Sequence, residues 1–373
     1  MSKKPNLFLA ADANLKCKLA ASLFFCTVLS GCQEPKNEPA NPLKRLADDS
    51  GRFINPSRDN QLSFPDAHNP KKRYQQEWWY LTANLKTETG DTFGTQWTLF
   101  RRGVEDKHWY FAHAALADAN QHLSQYRDGR EELGSVSITS LPFTAEIQDW
   151  QWSSAGELLP ATLQYGSRPV EPNQAQKVSE TSNDWQVKLQ LSAPAGFFLQ
   201  GEQGFSQKHA TLDIASHYYS QPFIRVTGQM LWQGKWQTVT GDAWFDREWG
   251  SQMLAEDQQG WDWFSLRLDK DTALMVYRIR SKIKDHMYAS LMTRDGRIRA
   301  FSDLDVSITA NSSSAVYPNA FSIAIPSESI NLKVTTINDQ QIMRMGIEYF
   351  EGMVRVTGSH TGAGFLEMTG YNN

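Results

Sequence analysis

The chain has 373 residues, of which 40% are hydrophobic, 12% aromatic and 21% charged, and its formal net charge is −4. That length exceeds one ordinary core and suits two domains of about 100–200 residues each. The slightly acidic balance gives no electrostatic case for nucleic acid, and there is no zinc-type Cys/His spacing, glycine-rich phosphate loop or Gly-x-Ser-x-Gly elbow; no nucleic-acid partner, metal or cofactor is expected.

Residues 1–32 read as a targeting segment. Lys3, Lys4, Lys16 and Lys18 form its basic region, and Leu19 to Leu29 is an apolar run of eleven residues, too short to span a bilayer. Leu29-Ser30-Gly31-Cys32 then fits a bacterial lipoprotein cleavage box, with the Cys32 thiol taking the lipid. Cys17 and Cys26 leave with the leader, so no disulfide can form in the mature chain. Gln33 stands where an Asp would favour retention at the inner membrane. Residues 33–61, rich in Pro, Asn, Asp and Lys, read as a flexible tether. The expectation is an envelope lipoprotein, anchored to the outer membrane through Cys32 and facing the periplasm.

Strand-like patterning starts at Glu77 and runs through Glu77–Leu85, a polar turn at Thr89-Gly90-Asp91, Phe93–Phe100 and Trp109–Leu116. Further strands are expected over Thr144–Trp152, Trp185–Leu191 and Ile224–Trp232. After Gly260 the pattern restarts: Trp261–Leu268, Ala273–Arg280, Asp285–Thr293, Arg297–Phe301, Phe321–Ile325, Ile330–Thr335 and Gly346–Gly358. The halves echo each other. Trp79 and Trp263 stand near their beginnings; Arg225-Val226-Thr227-Gly228 precedes Thr240-Gly241, and Arg355-Val356-Thr357-Gly358 precedes Thr369-Gly370. An all-β protein of two tandem antiparallel barrels is predicted, over residues 62–243 and 244–373, because closure removes exposed strand edges.

Between the halves lies the densest aromatic stretch, with six of the 13 Trp between Trp232 and Trp263. Within it, Gly241–Gly250 alternates so that, if extended, Asp242, Trp244, Asp246 and Glu248 share one face and Phe245, Arg247 and Trp249 the other. A carboxyl beside an indole can be held protonated by desolvation and serve as an acid, which makes Asp246 the candidate proton donor and Trp244 its aromatic neighbour. The alternative is that Asp246 caps a turn or pairs with Arg247 or Arg225. His217 and His113 are candidates for proton relay and pocket lining, or else buried histidines bonded within the core. Trp79 is a candidate to line a cavity inside the first barrel, and Glu77 is expected to pair with an Arg such as Arg247.

Four motifs carry a family resemblance: Glu77-Trp78-Trp79-Tyr80, Ser216-His217-Tyr218-Tyr219-Ser220-x-Pro222, Gly241-x-Ala243-Trp244-x-Asp246-x-Glu248-Trp249-Gly250 and Gly364-Phe365-x-Glu367-x-Thr369-Gly370-Tyr371. In this order they resemble the lipocalin-like secreted proteins grouped with the bacterial carotenoid 1,2-hydratases, over nearly the whole chain from about Phe64. The resemblance implies a pair of lipocalin-like barrels, with Asp246 as principal acid, His217 assisting, and Tyr219 and Trp244 lining a cation site. The family's His-x-Trp and Tyr-x-Asp pairs are here His217-x-Tyr219 and Trp244-x-Asp246. Two functions are expected: binding of a hydrophobic small molecule, a lipid or isoprenoid, or hydration of an isoprenoid double bond. The company this family keeps also suggests a role beside transporter components of the envelope.

Overall fold

Alternating apolar and polar positions, rich in aromatic and β-branched residues, favour strands almost throughout. The computed structural model describes residues 51–167, 183–194, 196–311 and 316–372, and is all-β; the helical pieces among the described residues are 3-10 turns. The leader, Cys32 and most of the expected tether lie outside the described residues.

The first sheet contains β1 (Gln76–Thr87), β2 (Thr92–Val104), β3 (Lys107–Ala117), β4 (His122–Gly129), β5 (Val136–Ser140), β6 (Phe143–Ile147), β7 (Trp150–Ser154), β8 (Ala161–Gly166) and β9 (Gln186–Ser192). It continues with the short β10 (Phe198–Leu199) and β11 (Phe205–Gln207), then β12 (Ala215–Trp232) and β13 (Lys235–Gly250). The second contains β14 (Gln258–Arg267), β15 (Thr272–Ser281), β16 (His286–Thr293), β17 (Ile298–Phe301), β18 (Ser307–Ala310), β19 (Ala320–Ile325), β20 (Ile330–Thr336), β21 (Ile342–Met345), β22 (Ile347–Gly358) and β23 (Gly362–Thr369). The order is β4-β3-β2-β1-β13-β12-β9-β8-β7-β6-β5 in one and β17-β16-β15-β14-β23-β22-β20-β19-β18 in the other. Both are antiparallel and curled, the first nearly into a barrel, the second into a half-barrel.

The two orders are the same topology used twice, as the internal echo predicts. The repeated Arg-Val-Thr-Gly ends on equivalent glycines: a Cβ on Gly228 would lie 2.1 Å from the Lys188 carbonyl oxygen, and one on Gly358 2.3 Å from that of Asn331. The other correspondences shift. Gly241 faces the Asn84 carbonyl as Gly362 faces that of Arg267, so Gly362, not Gly370, matches Gly241. Counting four residues back from Asn84 and Arg267, the counterpart of Trp263 is Tyr80 rather than Trp79. One residue of register decides which face of a strand a side chain occupies: Trp79 fills the interior of the first sheet, whereas Tyr80 and Trp263 belong to the cluster between the sheets.

These facings give three large hydrophobic clusters, and Ala115, Met343 and Tyr349 form a fourth, small one. Trp79, Leu81, Trp97, Trp152, Tyr219 and Phe245 help to fill the first sheet's interior, and Phe264, Val276, Phe321 and Leu366 the second's. Tyr80, Tyr218, Trp244, Trp263, Met275 and Tyr277 pack between the outer faces. The inside of the first sheet is also pinned by charge. Glu77 is fully buried and bonds to both Arg101 and Arg247 while accepting the Lys71 N–H, which ties β1, β2 and β13 together. Burial opposes the Glu77 charge, but the two guanidiniums hold its carboxyl below the ordinary range.

Two expected boundaries move. β13 runs through to Gly250, so the division at 243/244 cuts a strand; the first sheet ends at Gly250 and the second starts at Gln258. Residues 51–61 are anchored rather than loose. Ile54 donates its N–H to the Arg73 carbonyl at 3.1 Å, and Arg58 pairs with Glu202 at 2.9 Å.

Candidate functional site

The alternation of β13 places Trp244, Asp246 and Glu248 toward the second sheet and Phe245, Arg247 and Trp249 into the first. β12 does the same with Ser216, Tyr218 and Ser220 facing the second sheet, until a bulge between Gln221 and Ile224 inserts one residue. Pro222, which has no N–H for the ladder, lies in that bulge, and the Gln221 side chain accepts the Phe223 N–H at 3.0 Å instead. The bulge turns both His217 and Val226 inward although their separation is odd.

Cross-strand pairing then writes a row of polar residues over five strands: Ser220, Asp246, Tyr80, Thr98 and His113 are successive neighbours from β12 to β3. The second sheet presents its own row, Glu351, Glu367, Trp263, Tyr277 and Tyr288, from β22 to β16. Between the rows lies a cavity of about 660 Å³, with Asp246, Tyr218, Trp78, Trp263, His113 and Glu367 in its wall. Its volume is in the range of ordinary small-molecule sites.

Asp246 is 3% exposed, and its Oδ1 accepts hydrogen bonds from Ser220 Oγ at 2.5 Å and Trp244 Nε1 at 2.9 Å. Both of these bonds end on the same oxygen. Burial raises this carboxyl to about 7, against the lowering effect of the Ser220, Trp244 and Tyr218 hydrogen bonds. It pairs with neither Arg247 nor Arg225, and it caps no turn. Glu248, beside it, accepts from Ser216 Oγ at 2.5 Å and pairs with the buried Lys208 at 2.8 Å.

The facing row carries two more acids. Tyr80 Oη donates to Glu351 Oε1, and Trp261 Nε1 donates to Glu367 at 2.6 Å. Burial lifts both carboxyls above the ordinary range, Glu351 further than Glu367, and each is next to the other. His113 Nδ1 is bonded to Tyr349 Oη at 2.8 Å, and burial lowers its ring to about 3, so it stands neutral in the wall.

Of the residues singled out from sequence, Asp246, His113 and Glu77 line the cavity, and Trp244, outside its wall, donates to Asp246. His217, Tyr219 and Trp79 point the other way, into the first sheet. His217 packs edge-on to Tyr74 at 5.8 Å, and burial lowers its ring to about 4. Tyr219 is bonded to His68 Nδ1 at 2.6 Å, and Trp79 donates to the His68 carbonyl and lies under the Arg247 guanidinium at 3.8 Å. His217 and Asp246 therefore do not share a site, since neighbouring strands paired in register put His217 opposite Trp249 and Ser220 opposite Asp246. The expected pocket inside the first barrel is replaced by one between the sheets, because bulky aromatics occupy the interior. Spacing along the chain assigns no role to Tyr80, Tyr218, Glu351 or Glu367. Parity along β12 would have found Tyr218, but nothing short of strand pairing brings Glu351 into view.

Fold and cavity together define a protein of two curled, lipocalin-like antiparallel sheets enclosing an acid-bearing, aromatic-walled chamber. Residues 55–371 match the AttH-like family, and the chain belongs to that family. The resemblance to the lipocalin-like group of the carotenoid 1,2-hydratases read from the motifs holds at this level. Among solved structures, an AttH-type protein of Nitrosomonas europaea is similar at 29% identity and a TM-score of 0.74, covering 86% of this chain and 99% of that one. Kievitone hydratase from Nectria haematococca is similar in fold, with a TM-score of 0.65, 13% identity, and coverage of 86% and 99%. CghA in complex with Sch210972 has a TM-score of 0.51 at 12% identity, over 86% of this chain and 96% of that one. Comparison with curated proteins gives no match.

Proposed function

We propose that the protein binds an apolar, isoprenoid-like alkene between its sheets and adds water across a double bond. The observation that carries this reading is Asp246: a buried carboxyl in the wall of a largely aromatic chamber, with its neutral form favoured up to about pH 7. Such an acid gives its proton to one alkene carbon. The cation left on the other carbon faces the rings of Trp78, Trp263 and Tyr218, whose electron-rich faces attract positive charge. Water then forms the C–O bond and loses a proton, giving the alcohol. Ser220 and Trp244 hold the Asp246 carboxyl in place and stabilise it once it has become a carboxylate.

Kievitone hydratase bears a name in keeping with this reaction, but at 13% identity its likeness speaks to fold; the reading rests on Asp246. The apolar walls also favour a second reading, a carrier that binds such a molecule without converting it. Incubation with lycopene and farnesol in water enriched in heavy oxygen separates the two. Turnover by the wild type with a loss of about 10²–10⁴-fold in Asp246→Asn supports hydration. Binding without label in either protein leaves the carrier, and normal turnover by Asp246→Asn removes the assigned acid.

We further infer from the leader that the body works in the envelope, lipidated at Cys32 and held at the outer membrane, where apolar ligands and transporter components are within reach. Labelled palmitate entering the wild type and Cys32→Ala equally would reject the anchor.

A further inference from the structure

The repeat relates the acids of the two sheets. Gly241 and Gly362 are counterparts, and five residues on from each lie Asp246 and Glu367. Their cross-strand neighbours correspond too: Asp246 lies between Ser220 and Tyr80, and Glu367 between Glu351 and Trp263. The two sheets are joined by bonds in both directions, Tyr80 of the first donating to Glu351 of the second, and Trp263 Nε1 of the second donating to Tyr218 Oη of the first at 3.2 Å. Among the described residues four carboxyls border the chamber; Glu77 is paired with Arg101 and Arg247 and Glu248 with Lys208, so the two that border it without a cationic partner are Asp246 and Glu367, one from each repeat.

The surroundings of the two acids differ in a way that matters. Asp246 accepts from a hydroxyl and an indole, and its neighbour on β12 is the small Ser220. Glu367 accepts from Trp261, and its neighbour on β22 is a second carboxyl, Glu351, whose Oε2 is buried and meets no N–H or O–H donor. Two carboxyls side by side in a buried setting share a proton, because burial keeps both from being charged at once. Glu351, tied to Tyr80 and set behind Glu367, holds that proton and leaves Glu367 as the member that faces the chamber able to accept another.

Resting on the hydratase reading above, we propose that Glu367 is the general base of the reaction, taking the proton from the water that adds while Asp246 protonates the alkene. The O–H bond of Asp246 breaks as the C–H bond forms, and an O–H bond of water breaks toward Glu367 as the C–O bond forms. After the alcohol leaves, one proton passes from Glu367 to Asp246, which restores both groups and consumes no other reactant. Run backwards, the same pair dehydrates the alcohol. Glu351 is a positioning residue. It does not line the chamber and acts through Glu367.

The test measures label from heavy-oxygen water in the alcohol formed from lycopene or farnesol. Glu367→Gln keeps volume and the Trp261 contact, and its kcat is expected to fall about 10²–10⁴-fold with Kd for the alkene, read by Trp quenching, little changed. Glu367→Ala is expected to recover turnover when formate is supplied, a rescue that a purely structural role would not give. For Glu351, the conservative Gln still donates to Glu367 and retains most of kcat, whereas Glu351→Leu loses it without losing Kd. A wild type that incorporates label, an inactive Asp246→Asn and a fully active Glu367→Gln would overturn the base while leaving the hydratase reading standing. No label from the wild type would end the hydratase reading itself, and the base with it. If Glu367→Gln does not fold, failure of formate to restore Glu367→Ala decides against the proposal.

Discussion

Asp246→Asn should make the protein less sensitive to alkali. Burial takes this carboxyl from 3.8 to about 7, so the native state holds its proton more tightly than the unfolded chain does. Stability contributed by the neutral form is therefore complete below the unfolded value and is lost as pH rises from about 4 to about 7. At about 1.4 kcal/mol per unit the full shift is worth about 4 kcal/mol, and about 2.7 kcal/mol of it falls between pH ~5 and pH ~8.5. Asn cannot ionise, and its carbonyl oxygen can still accept from Ser220 and Trp244. The other acids are common to both proteins and cancel in the comparison. Urea unfolding followed by Trp fluorescence at the two pH values should show wild type losing about 2–3 kcal/mol more than Asp246→Asn. Equal losses would mean that the carboxyl titrates as it does in water and is not held as an acid, which would refute the basis for its role.

Glu77→Gln should remove about 3–5 kcal/mol of stability at neutral pH by leaving Arg101 and Arg247 buried without their counter-charge. Because the folded Glu77 sits below the ordinary carboxylate range, the stability it contributes is present above the unfolded value and lost in acid, so the gap between the two urea midpoints should narrow there. The facing of β12 predicts opposite phenotypes for adjacent tyrosines. Tyr219→Phe loses its bond to His68 and about 1–2 kcal/mol of stability with turnover and uptake of an apolar fluorescent probe unchanged, whereas Tyr218→Phe lowers turnover and also costs about 1–3 kcal/mol, because the buried Trp263 Nε1 loses its acceptor. Turnover lost in Tyr219→Phe and kept in Tyr218→Phe would overturn the orientation of the strand.

Much of this molecule is legible in its sequence because strands record their faces with a period of two. The alternation at Gly241–Gly250 assigns Trp244, Asp246 and Glu248 to one side before any partner is known, and the repeated Arg-Val-Thr-Gly marks two copies of one sheet. The carboxyl-indole contact between Asp246 and Trp244 is local, two residues apart on one face, so spacing alone reveals it. What lies across a strand is not local. Whether His217 or Tyr218 joins Asp246 depends on register and on a one-residue bulge at Pro222, and a single step in either reverses the face. Glu351 and Glu367 come within reach of Tyr80 and the chamber only when the outer faces of the two sheets meet, since residues 271 positions apart, such as Tyr80 and Glu351, share no signal along the chain. Sequence by itself therefore determined the strands, the repeat and one acid, while the place of the chamber and the acids facing it were decided by tertiary packing, because aromatic bulk fills the first sheet's interior and leaves the space between the sheets to a ligand.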